Sequence, residues 1–248
     1  SAAPPVLAVH GFGSSAQYTW QTTGHLIGLA RAGRYVIAPD LLGHGLSDKP
    51  TDPSAYTLDG LATLAVAALS GFVEPGPTDL LGYSLGARIC WQLLTQGPGS
   101  TEAQWRRAVL GGYDGRALFE AVDEPALRRS LGESSPLAVD SVDAESVASL
   151  ELSHATQRIA DIARAVPGNS LPALLAVVRG LSGTRPPGGT PIIPVLFAAG
   201  TDDPIATGAA MAAAAVPSAE FLPIPGRDHV SAVPASVFRN GAVEFLGR

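Results

Sequence analysis

Short apolar runs alternate along the chain with longer segments in which apolar residues recur at helical spacing. Each run is rich in Leu, Val, Ile or Ala and is bounded by Gly, Pro or Asp, which is typical of strands covered on both faces. The predicted strands are 5–10, 35–40, 78–83, 107–111, 192–199 and 220–224. The predicted helices between them are 58–68, 86–94, 203–215 and 235–246. This alternation predicts an α/β fold with a mostly parallel sheet flanked by helices.

One interval breaks this alternation. Between 112 and 191 no run is typical of a strand, whereas 124–131, 144–166 and 171–181 have helical spacing. Roughly 80 residues are too many for a simple crossover and too regular for a plain loop. We therefore predict a core made of 1–113 and 169–248, which carries an inserted helical cap at 114–168.

The composition excludes several classes of protein. The chain has 248 residues, 46% hydrophobic and 15% charged, and a mean hydropathy of +0.22, which argues against intrinsic disorder. The net charge is −6 and no basic run is present, so we expect no nucleic-acid partner. The longest apolar stretch, 61–73, is too short for a membrane span. No signal peptide is visible, so we expect a cytoplasmic protein.

The residues that bind metals are sparse. Cys90 is the one cysteine, which excludes an internal disulfide and a zinc site of the paired-cysteine kind. The sequence has neither an HExxH motif nor a cluster of candidate ligands. We therefore expect no metal and no cofactor, and a small molecule as the substrate.

Two glycine motifs suggest different functions. The first, GxGxxA at 11–16, follows the first strand, and Asp40 ends the next one. That is the outline of a dinucleotide site, although the pattern is weak in a chain with 28 glycines. The second, GYSLG at 82–86, lies between a predicted strand and a predicted helix. In that context GxSxG is a nucleophile elbow, a strained turn that exposes the hydroxyl of Ser84.

The rest of a catalytic triad follows in order along the chain. An acidic loop, GTDDP at 200–204, comes after the fifth strand, and GRDH at 226–229 comes after the sixth. Serine, acid and histidine in this order are typical of α/β hydrolases. All three lie at the carboxyl ends of strands, where open parallel sheets hold their sites.

With these motifs, the chain resembles the serine-nucleophile branch of the α/β-hydrolase superfamily over most of its length. HGFG at 10–13 and DLLGHGLS at 40–47 carry the resemblance together with the three motifs above. It implies that Ser84 is the nucleophile, His229 the base and Asp203 the acid, with Asp202 as a rival for the acid. It also implies an oxyanion hole made by the backbone N–H groups of Phe12 and Leu85.

The predicted reaction is hydrolysis of a small to medium, largely apolar ester, thioester or lactone through an acyl-enzyme. In this superfamily an aspartate at position 84 would instead suggest epoxide-hydrolase or dehalogenase chemistry. Tyr83, Arg88 and His154 are candidate substrate contacts, although Tyr83 is expected to pack beneath the pocket. His10 and His44 are expected to hydrogen-bond loop backbone.

Three alternatives stay open. GYSLGAR at 82–88 resembles the elbow of the pyruvate-eliminating synthase of the menaquinone pathway, in which case Arg88 would clamp carboxylates. Arg128, Arg129 or Arg158 of the cap would assist it. An arginine one turn into a helix is also typical of a surface salt bridge. Carbon–carbon bond hydrolysis and a non-catalytic, ligand-binding relative complete the alternatives.

Compared with the family, the chain departs at its beginning. Such folds usually open with an antiparallel hairpin, and here no hairpin precedes the strand at 5–10. We therefore expect six strands, all parallel, with 35–40 towards an exposed edge. Because an uncovered edge invites pairing with another chain, we expect either a trimmed N-terminus or self-association through this edge.

Overall fold

The computed structural model of the chain describes residues 3–95, 104–132 and 153–248. Its six strands form one sheet in the order β2-β1-β3-β4-β5-β6, and every pairing is parallel. The strands are β1 (Val6–Val9), β2 (Val36–Ile37), β3 (Pro77–Tyr83), β4 (Gln104–Gly111), β5 (Val195–Gly200) and β6 (Ala219–Ile224). The predicted parallel sheet is confirmed, and β2 lies at one edge.

Helices cover both faces of this sheet. They are α1 (His25–Arg31), α2 (Leu58–Ser70), α3 (Leu85–Thr95), α4 (Glu124–Ser130), α5 (His154–Ala165), α6 (Leu171–Leu181), α7 (Ala209–Ala214) and α8 (Ser236–Gly247). In β1, Val6 and Ala8 pack with α1 and α8, whereas Leu7 and Val9 pack with α2, α3 and α6. This alternation is the period of two expected for a strand buried on both faces. No helix in the described ranges is long and apolar enough to cross a membrane.

The prediction of one helix at 203–215 is wrong in its first half. Helix α7 begins only at Ala209, and the preceding residues form turns. The reason is local: Oδ1 of Asp203 accepts hydrogen bonds from the backbone N–H groups of Ile205, at 2.8 Å, and Ala206, at 3.1 Å. Such side-chain bonds to nearby backbone compete with helix formation.

Part of the predicted cap, 133–152, lies outside the described residues, as does the first part of its predicted helix 144–166. Helices α4 and α5 lie within the remainder, and each begins at a side-chain cap. Asp123 accepts from the N–H of Ala126, and Ser153 accepts from the N–H of Thr156. These caps satisfy backbone donors that a helix N-terminus would leave unpaired.

A buried histidine, His25, lies at the start of α1. Its ring packs between Trp20 and Phe238, with centroid distances of 5.2 and 5.1 Å. Burial, together with the positive charge of Arg239, lowers the pKa of His25 to about 4. The folded protein therefore holds this imidazole neutral over a range in which an unfolded chain, with a histidine pKa near 6.5, takes up a proton.

His25 predicts a loss of stability in mild acid. Because the unfolded state binds the extra proton, the free energy of unfolding falls as the pH drops from about 6.5 towards 4, by up to about 1.4 kcal/mol per pH unit. We expect His25→Gln to reduce this slope, measured by urea unfolding between pH 7 and pH 5. The control is His154→Gln, because His154 is exposed. An unchanged slope in His25→Gln would contradict the assignment.

Candidate active site

The turn between β3 and α3 holds Ser84 in a left-handed conformation, with φ of 54°. Its neighbours Gly82 and Gly86 have no room for a side chain. A Cβ at Gly82 would lie 2.6 Å from the Cα of Ala87, and one at Gly86 would collide with the carbonyl of Val9. The glycines of the motif therefore allow the start of α3 to pack directly on β1 and β3, so that the hydroxyl of Ser84 faces out of the turn.

The structure brings Ser84, His229 and Asp203 into one hydrogen-bonded row. Nε2 of His229 lies 2.9 Å from Oγ of Ser84, and Nδ1 of His229 lies 2.8 Å from Oδ2 of Asp203. A carboxylate only accepts hydrogen bonds, so Nδ1 carries the proton. Nε2 then accepts the hydroxyl proton of Ser84, which is the arrangement of a serine with an adjacent base.

The two adjacent acids of the loop after β5 have different surroundings. Asp203 is buried and aims one oxygen at His229, while the other accepts from backbone N–H groups of the same loop. Asp202 is exposed, and its carboxylate accepts a hydrogen bond from Oγ1 of Thr201 at 3.0 Å. Only Asp203 therefore contacts the histidine.

Tyr83, the residue before the candidate nucleophile, contacts His229. Its hydroxyl donates a 2.6 Å hydrogen bond to the backbone carbonyl of His229, and the two rings are 5.4 Å apart. Burial, and then the negative charge of Asp203, raises the pKa of Tyr83 well above its usual value. The phenol therefore stays a neutral donor. Sequence reasoning missed this contact, because no local signal links residues 146 positions apart.

The loop after β1 lies directly beside Ser84. A Cβ at Gly11 would be 3.3 Å from the Cβ of Ser84. The backbone N–H groups of Phe12 and Leu85 make no hydrogen bond to any other part of the chain that the structure describes. Both donors are thus available where negative charge would develop on a reacting carbonyl.

A buried histidine fixes the shape of this loop. Nε2 of His10 accepts the N–H of Leu41 at 3.0 Å, so the proton is on Nδ1, which donates to the carbonyl of Gly11 at 2.8 Å. Burial lowers the pKa of His10, which keeps it neutral. Because C=O and N–H point in opposite directions across one peptide plane, holding the Gly11 carbonyl aims the Phe12 N–H away from His10.

The glycine motif at 11–16 therefore belongs to this loop. The carboxylate of Asp40 accepts from the N–H groups of Ala16 and Leu46, both at 2.8 Å, so its oxygens brace two loops. A Cβ at Gly13 would lie 2.8 Å from Cγ2 of Ile162 in α5. A dinucleotide site would need the acid to bind a ribose and the glycine turn to approach a pyrophosphate. Here Asp40 binds loop N–H groups and Gly13 is covered by α5, so the structure does not match the dinucleotide interpretation.

A cavity of about 720 Å³ opens above Ser84 and His229. Its walls are mainly apolar and come from the loops after β1 and β4 and from helix α5. The apolar side chains that line it include Phe12, Leu118, Phe119, Val122, Ile159, Ile162, Val166, Val230 and Val233. Of the candidate substrate contacts, Tyr83, Arg88 and His154 all line the cavity. Of the three arginines proposed to assist Arg88, Arg158 lines it, whereas Arg128 and Arg129 are absent from its wall.

Phe119 lies in the wall in a strained conformation. Apart from Ser84, it is the one non-glycine residue in the described ranges with a positive φ, at 52°. Its ring is 5.3 Å from the ring of Phe12, and the ring of Phe12 is 5.9 Å from His44. Burial lowers the pKa of His44 to about 3, so this aromatic row carries no charge.

Candidate metal ligands do not cluster in the structure. Within residues 3–95, 104–132 and 153–248, no three His, Cys, Asp or Glu side chains are placed to hold one ion. Cys90 is buried in the core, and burial raises the pKa of its thiol.

Comparisons with known proteins agree with this architecture. A family model described as the alpha/beta hydrolase family matches residues 6–238. The enol-lactonase from Burkholderia xenovorans LB400 has a similar structure, with a TM-score of 0.72 and 19% identity, covering 100% of this chain and 93% of that one. At such identity the likeness shows the fold, which is the α/β-hydrolase fold.

Sequence similarity to curated proteins is more local. Epoxide hydrolase 3 of Siraitia grosvenorii is 37% identical over 89 residues, 36% of this chain and 27% of that protein. The 2-hydroxymuconate semialdehyde hydrolase of Pseudomonas sp. (strain CF600) is 33% identical over 111 residues, 45% of this chain and 37% of that protein. The chain thus spans about a third of the length of these relatives.

Proposed function

Because the chain belongs to the alpha/beta hydrolase family, we propose that it is a serine hydrolase that cleaves a small to medium, largely apolar ester, thioester or lactone. The observation that carries this proposal is the row of two hydrogen bonds from Ser84 through His229 to Asp203. The row ends at the floor of an apolar cavity.

In the proposed reaction Oγ of Ser84 attacks the carbonyl carbon of the ester while Nε2 of His229 takes the hydroxyl proton. The negative oxygen that forms is stabilised by the N–H groups of Phe12 and Leu85. The bond to the alcohol then breaks, and His229 gives its proton to the leaving oxygen. Water, deprotonated by His229, then attacks the carbonyl of the acyl-enzyme, which releases the acid and restores Ser84.

Three residues would position the base and the oxyanion donor in this scheme. Asp203 holds the Nδ1 proton of His229 and stabilises the imidazolium that forms. Tyr83 holds the His229 backbone through its carbonyl. His10 holds the Gly11 carbonyl, and thereby the direction of the Phe12 N–H.

The nucleophile separates this proposal from the chemistry named in some relatives. Two of the similar curated proteins are called epoxide hydrolases of Siraitia grosvenorii. In this chain the elbow carries the hydroxyl of Ser84. A hydroxyl activated by a histidine is suited to acyl transfer, which supports ester cleavage over epoxide opening.

We also infer that residues 114–168 act as a cap over the site, inserted between the core segments 1–113 and 169–248. Supporting this, Ile159 and Ile162 of α5 and Phe119 of the preceding loop line the cavity above Ser84. Nδ2 of Asn169 ties the cap to the core, because it donates both to the carbonyl of Gly13, at 2.8 Å, and to that of Ala163, at 3.0 Å.

A second candidate is carbon–carbon bond hydrolysis or a pyruvate-eliminating synthase reaction. The likeness to a 2-hydroxymuconate semialdehyde hydrolase favours it, as does the burial of Arg88 beside the cavity. Both candidates use Ser84 and His229, so the substrate and not the triad distinguishes them. A non-catalytic binder is a third possibility, and it would leave Ser84 unlabelled by a fluorophosphonate.

The proposal is tested with 4-nitrophenyl esters of rising acyl length on the wild type and on Ser84→Ala. We expect turnover in the wild type and a loss of about 10³-fold or more in Ser84→Ala, because among the described residues Ser84 is the nucleophile that contacts Nε2 of His229. Turnover that survives the substitution would contradict the triad. If no ester is cleaved while a fluorophosphonate still labels Ser84, the carbon–carbon alternative is favoured.

The adjacent acids provide a matched pair of variants. Asp203→Asn keeps the oxygen that accepts from the loop N–H groups but removes the charge facing Nδ1 of His229, so we expect kcat to fall by about 10³- to 10⁴-fold. Asp202→Asn should change kcat by less than about 3-fold, because Asp202 is exposed and away from the histidine. The reverse order would assign the acid to Asp202, and equal losses would contradict the assignment to Asp203 alone.

Phe119 is expected to limit the acyl length. Phe119→Ala and Phe119→Gly both remove the ring from the cavity wall, so both should shift kcat/KM towards longer acyl chains by about 10-fold. Glycine accepts the positive φ, whereas alanine does not, so the glycine variant should be the more stable by about 1 kcal/mol. An unchanged chain-length profile in both variants would show that Phe119 does not bound the acyl site.

A further inference from the structure

Arg88 has an unusual position for an arginine. It is the fourth residue of α3, one turn after Ser84, whose carbonyl accepts the backbone N–H of Arg88 at 3.0 Å. Its side chain is 0% exposed, and it is among the residues that line the cavity above Ser84. The interpretation as a surface salt-bridge partner therefore does not hold.

Most hydrogen-bond donors of this guanidinium are unused. Nη2 donates to the backbone carbonyl of Thr184 at 3.2 Å. Nε and Nη1 have no hydrogen-bond partner, and no carboxylate in the described part of the chain lies within ion-pair distance of Arg88. An arginine has five N–H donors, so most of them have no acceptor other than the neighbouring hydroxyl of Tyr113.

The neighbouring Tyr113 adds a hydroxyl whose proton has no acceptor. This buried hydroxyl interacts with the guanidinium of Arg88 and has no other hydrogen-bond partner among the described residues, and Tyr113 also lines the cavity. Burial raises the pKa of Tyr113 to about 12, against the opposing effects of the Arg88 charge and of the hydrogen bond with Arg88, so the hydroxyl stays protonated beside the guanidinium. The acids of the nearby wall are engaged elsewhere: Asp114 pairs with Arg116 at 2.6 Å, and Glu120 with Arg185 at 3.4 Å.

A buried cation without a counter-charge is unfavourable, because it has lost its water and gained little in return. Because Arg88 borders the cavity, a group that enters the cavity can supply the missing partner. A carboxylate matches the planar fork of the guanidinium with two oxygens, and the hydroxyl proton of Tyr113 would supply a further donor.

We infer that Arg88, with Tyr113, binds a carboxylate of the substrate, so that the natural ester carries a free acid group. The inference rests on the proposed function, and it names the substrate class of the same site. The carboxylate would lie against Arg88 and the carbon skeleton along the apolar wall, with the ester carbonyl at Ser84. The free acid is either on the acyl part, as in a half-ester of a dicarboxylic acid, or on the alcohol part.

Two matched substrate pairs test the inference and distinguish these sources. Mono-4-nitrophenyl glutarate against 4-nitrophenyl pentanoate places the acid on the acyl side. 4-Acetoxybenzoate against phenyl acetate places it on the alcohol side. We expect the wild type to prefer the acid member of one pair by at least about 10-fold in kcat/KM. This comparison requires no variant.

The variants then assign the preference to Arg88. In Arg88→Met the ratio of kcat/KM between acid and neutral substrate should fall by at least about 10-fold, and Arg88→Lys should restore part of it. The ratio cancels any uniform loss caused by misfolding. The matched control is Arg31→Met, which removes an exposed cation at the end of α1, outside the cavity wall, and should change the ratio by less than about 3-fold.

Binding of glutarate to Ser84→Ala, measured by calorimetry, separates this inference from the proposed function. If no ester is cleaved but glutarate binds Ser84→Ala and not the Ser84→Ala, Arg88→Met double variant, the proposed function fails and the carboxylate site stands. If esters are cleaved with no preference for either acid, and Arg88→Met leaves the ratio unchanged, the carboxylate site is overturned and the hydrolase stands.

Discussion

The left-handed backbone at Ser84 is the constraint from which the rest of the site follows. A residue with a side chain adopts this conformation at a cost of about 1–2 kcal/mol, so tight packing must hold it. That packing exists because Gly82 and Gly86 let α3 approach β1 and β3 more closely than any side chain would allow. The same approach brings Gly11 beside Ser84 and places Arg88 one turn further along the helix.

The histidine is held by three residues at the ends of two strands of the sheet. Asp203 follows β5, Tyr83 ends β3 and Ser84 begins the next turn, and each contacts a different atom of His229. This arrangement depends on the parallel sheet, because the carboxyl ends of all its strands meet at one edge. An imidazole with both nitrogens and its backbone engaged has little freedom to rotate, which favours one tautomer in one orientation.

Much of this architecture could be predicted from the sequence, because its signals are local. Strands covered on both faces produce short apolar runs, and GxSxG between a strand and a helix indicates an elbow. The order of Ser84, Asp203 and His229 at strand ends implied their proximity. The remaining features depend on distant partners. The Tyr83 hydroxyl meets the carbonyl of His229, and the apolar partners of His25 include Phe238, near the other end of the chain.

Two further predictions depended on where a side chain lies in the folded protein, which helical spacing does not reveal. The helix expected from 203 begins six residues later, because the carboxylate of Asp203 captures N–H groups that a helix would use. For Arg88, helical spacing alone favoured a surface role and left a pocket role as an alternative. The structure separates them, since it shows a guanidinium that is buried and has no carboxylate beside it in the described ranges. The distance along the chain between the reacting groups also has a kinetic meaning. Ser84 and His229 are 145 residues apart, so their hydrogen bond closes a very long loop. Contacts of such sequence separation form slowly, after local helices and hairpins. We therefore expect the contact between Ser84 and His229 to form late in folding. A serine that reacts would then indicate that the β3 and β6 ends of the sheet have come together.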